Sequence, residues 1–570
     1  YVRWLRRPGD GPMRTDYDAI VIGSGITGGW AAKELTEAGL ETLVLEAGPD
    51  VVPSRDYTEH VPVWDMKYRG LGDRARLEER QAIQRECYAC DELGSAFFVD
   101  DVDNPYTTPD DAPFLFLRGR QVGGRSIMWG RQVYRLSDLD FEANARDGIA
   151  IDWPIRYADL EPWYDHVERF IGVSGEALGL AHLPDSRFLP PMEMTCAEAH
   201  VRDGIARAYG GERTLTIGRC AVLTRDHGGR RACHFCGPCE RGCRTGSYFS
   251  SLSATLPAAR ATGRMTMRPN SVVRHLGYRD GRVSSVYVID RETREAMEFT
   301  GRVVFLAAST LESTRILLNS TSAEHPHGLA NSSGTLGHYL MDHTMGHGAT
   351  GDIPGYEDQA NRVRRINGIY LPRFRNVSRP HPDFLRGFAY QGSGARSGWN
   401  RGAGTRGLGA DFKHGLTELG PWRMTLYGFG ECLPDASNRV ELDPDVVDAW
   451  GIPALKITCR WGSNELAMFD DMADSAAEML EAAGARNVEV FHEDNPPGKT
   501  IHEMGTARMG RDAATSVLNG FNQSHDVPNL FVVDGSCMVS SANQNPSLTY
   551  MALTARACAY AVDALNRLEL

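Results

Sequence analysis

Three groups of residues in this chain have the types and spacing to do chemistry. The first is Gly23-Ser24-Gly25-Ile26-Thr27-Gly28, which follows the apolar run Asp18-Ala19-Ile20-Val21-Ile22 and opens a helix-forming stretch. In such a turn the first glycine permits the tight strand-to-helix reversal. The second lets backbone N–H groups approach a pyrophosphate, and the third lets helix and strand pack closely. Glu46 closes the next apolar run, Leu43-Val44-Leu45, where its carboxylate can accept from ribose hydroxyls. Strand, glycines, helix and acid in register mark a dinucleotide site, although this fingerprint does not by itself separate NAD from FAD. The second group is His502 and Asn545, which flank the strand-like run Asn529–Val533 that ends in Asp534-Gly535. A loop histidine is most often structural, and an asparagine before proline is usually a turn or cap. Beside a cofactor strand, however, the histidine could accept a hydroxyl proton while the non-titrating amide holds the oxygen.

The third group is Cys233, Cys236, Cys239 and Cys243, spaced C-x2-C-x2-C-x3-C. That is the iron–sulfur run of bacterial ferredoxins, with Arg244 where a proline is usual. Zinc is the alternative, but a zinc ribbon usually pairs two C-x2-C knuckles across a longer loop, so iron–sulfur is favoured. In two-cluster ferredoxins the fourth cysteine serves the other cluster. Either all four thiolates bind one [4Fe-4S] centre, or three hold a [3Fe-4S] centre, or a ligand such as Cys220 completes the set. Cys87 and Cys90 are a pair that could assist the cluster, with packing the preferred reading, and Cys196, Cys220, Cys432, Cys459, Cys537 and Cys558 read as buried packing residues.

The elements that must position these groups follow from the patterning. After the opening β-α-β unit, residues 50–112 lack long periodic segments and read as an excursion over the surface. Arg118 to Gly130 form a second glycine-rich loop in which Gly123, Gly124 and Ser126 would let main chain approach a flat ring. Alternating runs at 271–276 and 283–289, and the apolar run at 303–306, read as strands that complete a nucleotide-binding domain. Residues 340–500 mix Gly-rich loops, strands near 424–429 and 439–442, and an amphipathic helix near 464–484, which suggests an α+β substrate side. A helix from Ser547 to Leu565 closes the chain and could return to the first domain.

Four blocks in order resemble the glucose-methanol-choline (GMC) oxidoreductase family: the Gly23 fingerprint with Glu46, Gly123-Gly124-Arg125-Ser126, Leu306 to Leu318, and His502 through Asn545. The resemblance implies an α/β fold, a Rossmann-like FAD-binding domain joined to an α+β substrate-binding domain. The FAD-binding parts would be 15–135, 231–340 (with the cysteine run at 233–243) and 499–570; the substrate-side parts would be 136–230 and 341–498. It implies that His502 and Asn545 are the catalytic pair. FAD would be held by Gly23, Gly25, Ile26, Thr27, Gly28, Glu46, Gly123, Gly124, Ser126, Met128, Trp129, Val273, Ala308, Asp534, Gly535, Asn545 and Pro546. Some relatives tether FAD through a histidine in the second glycine loop; this chain has Ile127-Met128-Trp129 there, which implies non-covalent FAD.

Within the family the resemblance is to flavoprotein subunits of bacterial sugar dehydrogenases, of the gluconate and glucoside 3-dehydrogenase types. The expected reaction is oxidation of a secondary ring hydroxyl of a sugar or glycoside to a ketone by hydride transfer to flavin N5. Electrons would leave through the iron–sulfur centre to a small partner subunit, a cytochrome or another acceptor. No C-x-x-C-H haem signature is present, so any haem belongs to a partner. Trp153, Trp422, Tyr427 and Trp450 are candidates for a polyol pocket, though aromatics at such spacings more often form core. The competing readings are an oxygen-using pyranose or alcohol oxidase, an NAD-linked dehydrogenase, and a cluster-stabilised interaction subunit without catalysis.

Composition bounds the rest. The 570 residues carry 61 basic and 74 acidic side chains, a net charge of -13 that disfavours nucleic acid as a partner. No apolar run approaches the ~20 residues of a membrane span, and no heptad or solenoid repeat is present. Tyr1 to Asp10 bear charge without a hydrophobic stretch behind it, and read as a short arm and no complete secretion signal. The compartment stays open between a bacterial cytoplasm and a periplasm reached by co-export with a partner subunit.

Overall fold

A computed structural model describes residues 16–361, 365, 367–403 and 405–570; the arm at 1–10 lies outside them. Asp18 to Ile22 belong to the strand Tyr17–Ile22, which is the centre of a five-stranded, wholly parallel sheet. Its neighbours are Thr42–Leu45 and Gly301–Leu306, with Met265–Arg268 and Leu530–Val532 at the edges. Such strands are buried on both faces, so they read as continuous apolar runs; all four residues of Thr42–Leu45 are buried. The helix Ile26–Glu37 packs on this sheet and against the terminal helix Ser547–Asn566, which does return to the first domain.

The second layer is a six-stranded antiparallel sheet in the order Arg486–His492, His347–Ile353, Trp422–Gly430, Phe388–Arg396, Ile369–Leu371, Thr216–Ile217. Along Trp422–Gly430 burial alternates strictly. Trp422, Met424 and Leu426 pack with Met468, Met472 and Met479 of the helix Ser463–Ala482. The opposite face, which carries Gln391 and Phe429, looks onto the central cavity.

The structure corrects or refines four expectations. The strands Ser271–Arg279 and Arg282–Asp290 do not join the parallel sheet; with Ala296–Phe299 they make a separate antiparallel sheet. Alternation reports which face of a strand is buried, not its partner. Residues 50–112 are more than a surface excursion, because Tyr57, Phe97 and Phe98 belong to the same buried cluster as Val21 and Val44. Cys196 is only half-buried, unlike Cys220, Cys432, Cys459, Cys537 and Cys558. Trp153 and Trp422 are core residues, 0% and 3% exposed, and neither borders a cavity described below.

Candidate active site

Four adjacent parallel strands deliver their C-terminal ends to one crevice. Gly23 follows Ile22, Glu46 follows Leu45, Ala307-Ala308 follow Leu306 and Val533-Asp534 follow Val532. Ligands of open α/β sheets bind at this edge. Gly23 has φ +101°, and a Cβ there would lie 2.3 Å from the Ala307 carbonyl oxygen; at Gly28 it would lie 2.0 Å from the Gly23 carbonyl oxygen. Those two glycines are demanded by packing. Gly25 is different: a Cβ there meets nothing within 4 Å, so its face opens into the crevice.

Ser24 ties the turn to both its neighbours. Its hydroxyl donates to Glu46 Oε2 at 2.6 Å and accepts from the Gly123 N–H at 3.0 Å, so the second glycine loop docks on the first. Glu46 also accepts from the backbone of Ser24 at 3.1 Å and of Gly48 at 3.0 Å. Burial pushes its carboxyl above the usual range, and these donors oppose that shift. Ser126 Oγ meets Ser251 Oγ at 2.7 Å, which fixes the loop from behind.

The crevice is a cavity of about 610 Å³, within the usual size of small-molecule and cofactor sites. Gly23, Gly25, Ile26, Thr27, Glu46, Gly124, Ser126, Met128, Trp129, Val273, Ala308, Asp534, Gly535, Asn545, Pro546 and His502 all border it. Gly28 and Gly123 do not; they stand behind its wall as packing residues. The open face of Gly25, the helix start at Ile26 and the carboxylate of Glu46 suit an FAD pyrophosphate and ribose. Met128, 5% exposed, packs on Gly119, and Trp129 Nε1 donates to the Phe249 carbonyl at 3.1 Å.

His502 and Asn545, 43 residues apart, meet on this wall. Asn545 Nδ2 lies 3.4 Å from His502 Nε2, and Asn545 Oδ1 accepts from Gln391 Nε2 at 2.7 Å. Behind them, His502 Nδ1 faces His343 Nδ1 at 2.9 Å, and His343 Nε2 faces the Ser541 carbonyl at 3.2 Å. A carbonyl can only accept, so the neutral His343 ring carries its hydrogen on Nε2 and presents a bare Nδ1. His502 must then donate from Nδ1, which leaves the Nε2 lone pair aimed at Asn545 and the cavity. Burial holds His343 down at about 4. His502 is held well below the usual imidazole value by burial, then by His343 and Arg125.

The loop that carries His502 is gripped by Asp342. Its carboxylate accepts from the N–H groups of Gly498 at 2.8 Å and His502 at 3.1 Å, and from the Thr500 hydroxyl. Burial pushes the Asp342 carboxyl up to about 6. Arg125, in the second glycine loop, holds Glu503 in a two-pronged ion pair at 2.9 and 3.1 Å and so joins that loop to the one that carries His502. Sequence reasoning missed Asp342, His343 and Gln391 because no local motif marks them. Only Arg125 lay within a matched block.

The four cysteines of the run share one neighbourhood. Cys233, Cys239 and Cys243 pack in a cluster with Cys220, Phe235 and Tyr248, and Cys236 borders a second chamber. Phe235 N–H donates to Cys233 Sγ at 3.4 Å, and Cys243 Sγ lies 3.2 Å from Thr245 Oγ1. Among the described residues, no three His, Cys, Asp or Glu side chains are arranged to hold a metal ion. The thiols as folded therefore do not form a ready ligand set. Cys87 and Cys90 are buried in the main core.

Among the described residues no helix is long and apolar enough to cross a membrane. A model of the GMC oxidoreductases matches residues 17–345, and a second, of their C-terminal part, matches 434–554. The chain is 30% identical to 2-methyl-1,2-propanediol dehydrogenase of Mycolicibacterium austroafricanum, covering 95% of this chain and 94% of that one. It is 25% identical to the fructose dehydrogenase large subunit of Gluconobacter japonicus, covering 95% and 96%. The solved structure of pyridoxine 4-oxidase from Mesorbium loti superposes with a TM-score of 0.62 at 18% identity, over 95% of this chain and 98% of that one. With the glycine cradle, the cavity and these matches over nearly its whole length, the chain belongs to the GMC oxidoreductase family, FAD enzymes that act on the CH–OH group of alcohols and sugars.

Proposed function

We propose that this protein is an FAD-dependent dehydrogenase that oxidises a secondary ring hydroxyl of a sugar or glycoside to a ketone. The observation that carries the reading is the bare His502 Nε2 beside the Asn545 amide on the wall of the FAD cavity. A separation of 3.4 Å is a weak mutual contact, so a substrate hydroxyl can take the place between them. Asn545 Nδ2–H donates to the substrate oxygen, its orientation fixed by Gln391 at Oδ1. His502 Nε2 accepts the hydroxyl proton, because Nδ1 is already occupied toward His343. FAD, when bound, supplies the acceptor for the hydride that leaves carbon. The amide then holds the new carbonyl oxygen, and the low basicity of the buried His502 favours return of the proton to solvent.

The cofactor is held by Gly25 and the backbone at Ile26 and Thr27 at its pyrophosphate, and by Glu46 at its ribose. Gly124, Ser126, Met128, Trp129, Ala308, Asp534 and Pro546 bound the remainder. Ile127-Met128-Trp129 stand where some relatives carry a tethering histidine, so we expect FAD to be non-covalent and to be released by acid precipitation. The name of the fructose dehydrogenase large subunit accords with a sugar substrate and with a partner subunit. An iron–sulfur centre at Cys233, Cys236, Cys239 and Cys243 rests on their spacing alone, and assay of iron and acid-labile sulfide decides it.

A small diol is the second reading, favoured by the likeness to 2-methyl-1,2-propanediol dehydrogenase. Dye-linked assays on a panel of sugars, glycosides and small diols, with NMR identification of product, separate the two. In the same assay His502→Ala should lose at least about 10²-fold in kcat. Undiminished turnover removes His502 from the role of base.

A further inference from the structure

Beyond Gln391 the FAD cavity adjoins a second chamber. Tyr88, Gly130, Gln132 and Gln391 border both spaces. The outer one is walled by Ser393 and Gly394 of the strand Phe388–Arg396 and, opposite them, by Phe235, Cys236 and Glu240 of the cysteine run. Part of the run thus has a place in the wall of a chamber next to the FAD cavity.

The polar groups of this chamber are incompletely used by the protein. Gln391 gives its Nε2 to Asn545, which leaves Oε1 as an acceptor. Gln132 takes the Tyr134 hydroxyl at Oε1, which leaves Nε2 as a donor. Glu240 borders the chamber, and its carboxylate has no side-chain partner among the described residues. The Tyr88 ring stands at the junction with 68% of its surface open. An aromatic plate ringed by a carboxylate, an amide donor, an amide acceptor and a hydroxyl suits a flat-sided ring bearing several hydroxyls. An apolar or rigid single-ring substrate would leave these groups unpaired.

We propose that the outer chamber is a subsite for a second sugar ring. A disaccharide would place its reacting ring beside His502 and its distal ring between Tyr88, Glu240 and Ser393. The inference rests on the sugar reading of the inner site. Unlike the His502 pair, Glu240 and Ser393 border only the outer chamber, so they can be changed without touching the chemistry.

The test is dye-linked turnover of methyl α-D-glucoside against maltose and cellobiose, by the wild type, Glu240→Gln and Ser393→Ala. The expected result is a preference for at least one disaccharide in kcat/KM. Glu240→Gln should raise its KM about tenfold, the effect of losing one charge-assisted hydrogen bond, with methyl α-D-glucoside turnover unchanged. Ser393→Ala should move the same way by less. Equal losses on the single-ring and two-ring substrates, or no loss on either, overturn the subsite while leaving the sugar reading intact. Oxidation of small diols with no turnover of any sugar overturns the sugar reading itself, and the subsite with it.

Discussion

At the scale of single residues, the reactivity proposed for His502 would be set by a neighbour that titrates out of the way. His343 is 1% exposed and neutral, and it accepts from His502 Nδ1 while donating to Ser541. A carboxylate in its place would raise the basicity of His502; a neutral ring fixes the tautomer and leaves the base weak. Leucine at 343 cannot accept, so the proton of His502 is free to move to Nε2. We expect His343→Leu to lower kcat by about 10²-fold or more with little change in KM. Glutamine can accept at Oε1 and donate at Nε2, so His343→Gln should recover most of that loss. A merely structural role would show no such rescue. Because the depressed His502 must be neutral to act, wild-type kcat/KM should stay level as pH falls through 6.5 and decline only well below it. A limb centred at the ordinary imidazole value would contradict the buried pair.

The same pair affects stability, with two signs. His343 is depressed to about 4 in the folded chain, so its contribution is present above the unfolded value near 6.5 and is lost as pH falls toward 4. Asp342, raised to about 6, acts oppositely: its contribution is present below the unfolded value of 3.8 and is lost as pH rises toward 6. In the window they share, the folded chain keeps a proton on Asp342 and the unfolded chain keeps one on His343, and the two effects offset. His343→Gln removes one side of this balance. The stability of the wild type relative to the variant should therefore shrink between pH 6.5 and pH 4, by at most about 3 kcal/mol. Denaturant melts at both pH values measure it, and a constant difference would place the depressed value elsewhere.

At the scale of elements, the glycine turn divides into packing and binding positions, which substitution can separate. Gly25 has φ -65°, open to any residue, and its Cβ would meet no atom within 4 Å. Gly25→Ala should keep the wild-type melting temperature of the apo chain but retain less FAD after gel filtration. Gly28→Ala must force a methyl to within 2.0 Å of the Gly23 carbonyl oxygen, so both folding and FAD retention should suffer. The turn was legible because all its determinants lie within thirty residues of sequence: an apolar run, three spaced glycines, a helix and an acid. The terminal helix and the strand before it were legible for the same reason. The sheet membership of Ser271–Arg279 was not, since period-two patterning names a buried face and no partner. His343 was illegible too, because its meaning comes from a ring 159 residues away.

At the scale of the whole molecule, the cavity exists only because the chain crosses between layers repeatedly. The parallel sheet supplies the cradle, the antiparallel sheet supplies Gln391 and Phe429, and the last hundred residues bring His502, Asp534 and Asn545 back to the crevice at the edge of the parallel sheet. The cavity proposed for FAD is lined by the N-terminal, middle and C-terminal parts of the sequence at once. Removing FAD should therefore loosen the entire fold, and added FAD should raise the melting temperature in a concentration-dependent way. The purified holoprotein should be yellow, with a flavin spectrum bleached by substrate and a flavin released by acid. A colourless preparation that cannot be reconstituted would defeat the cofactor reading. Metal analysis on the same sample addresses the cysteine run. Iron with acid-labile sulfide in stoichiometric amount would mean that the thiols rearrange around a cluster and that electrons have an exit beside the outer chamber. Zinc, or no metal at full dye-linked activity, would leave the run as a wall of that chamber, and the flavin would then have to meet its electron acceptor directly.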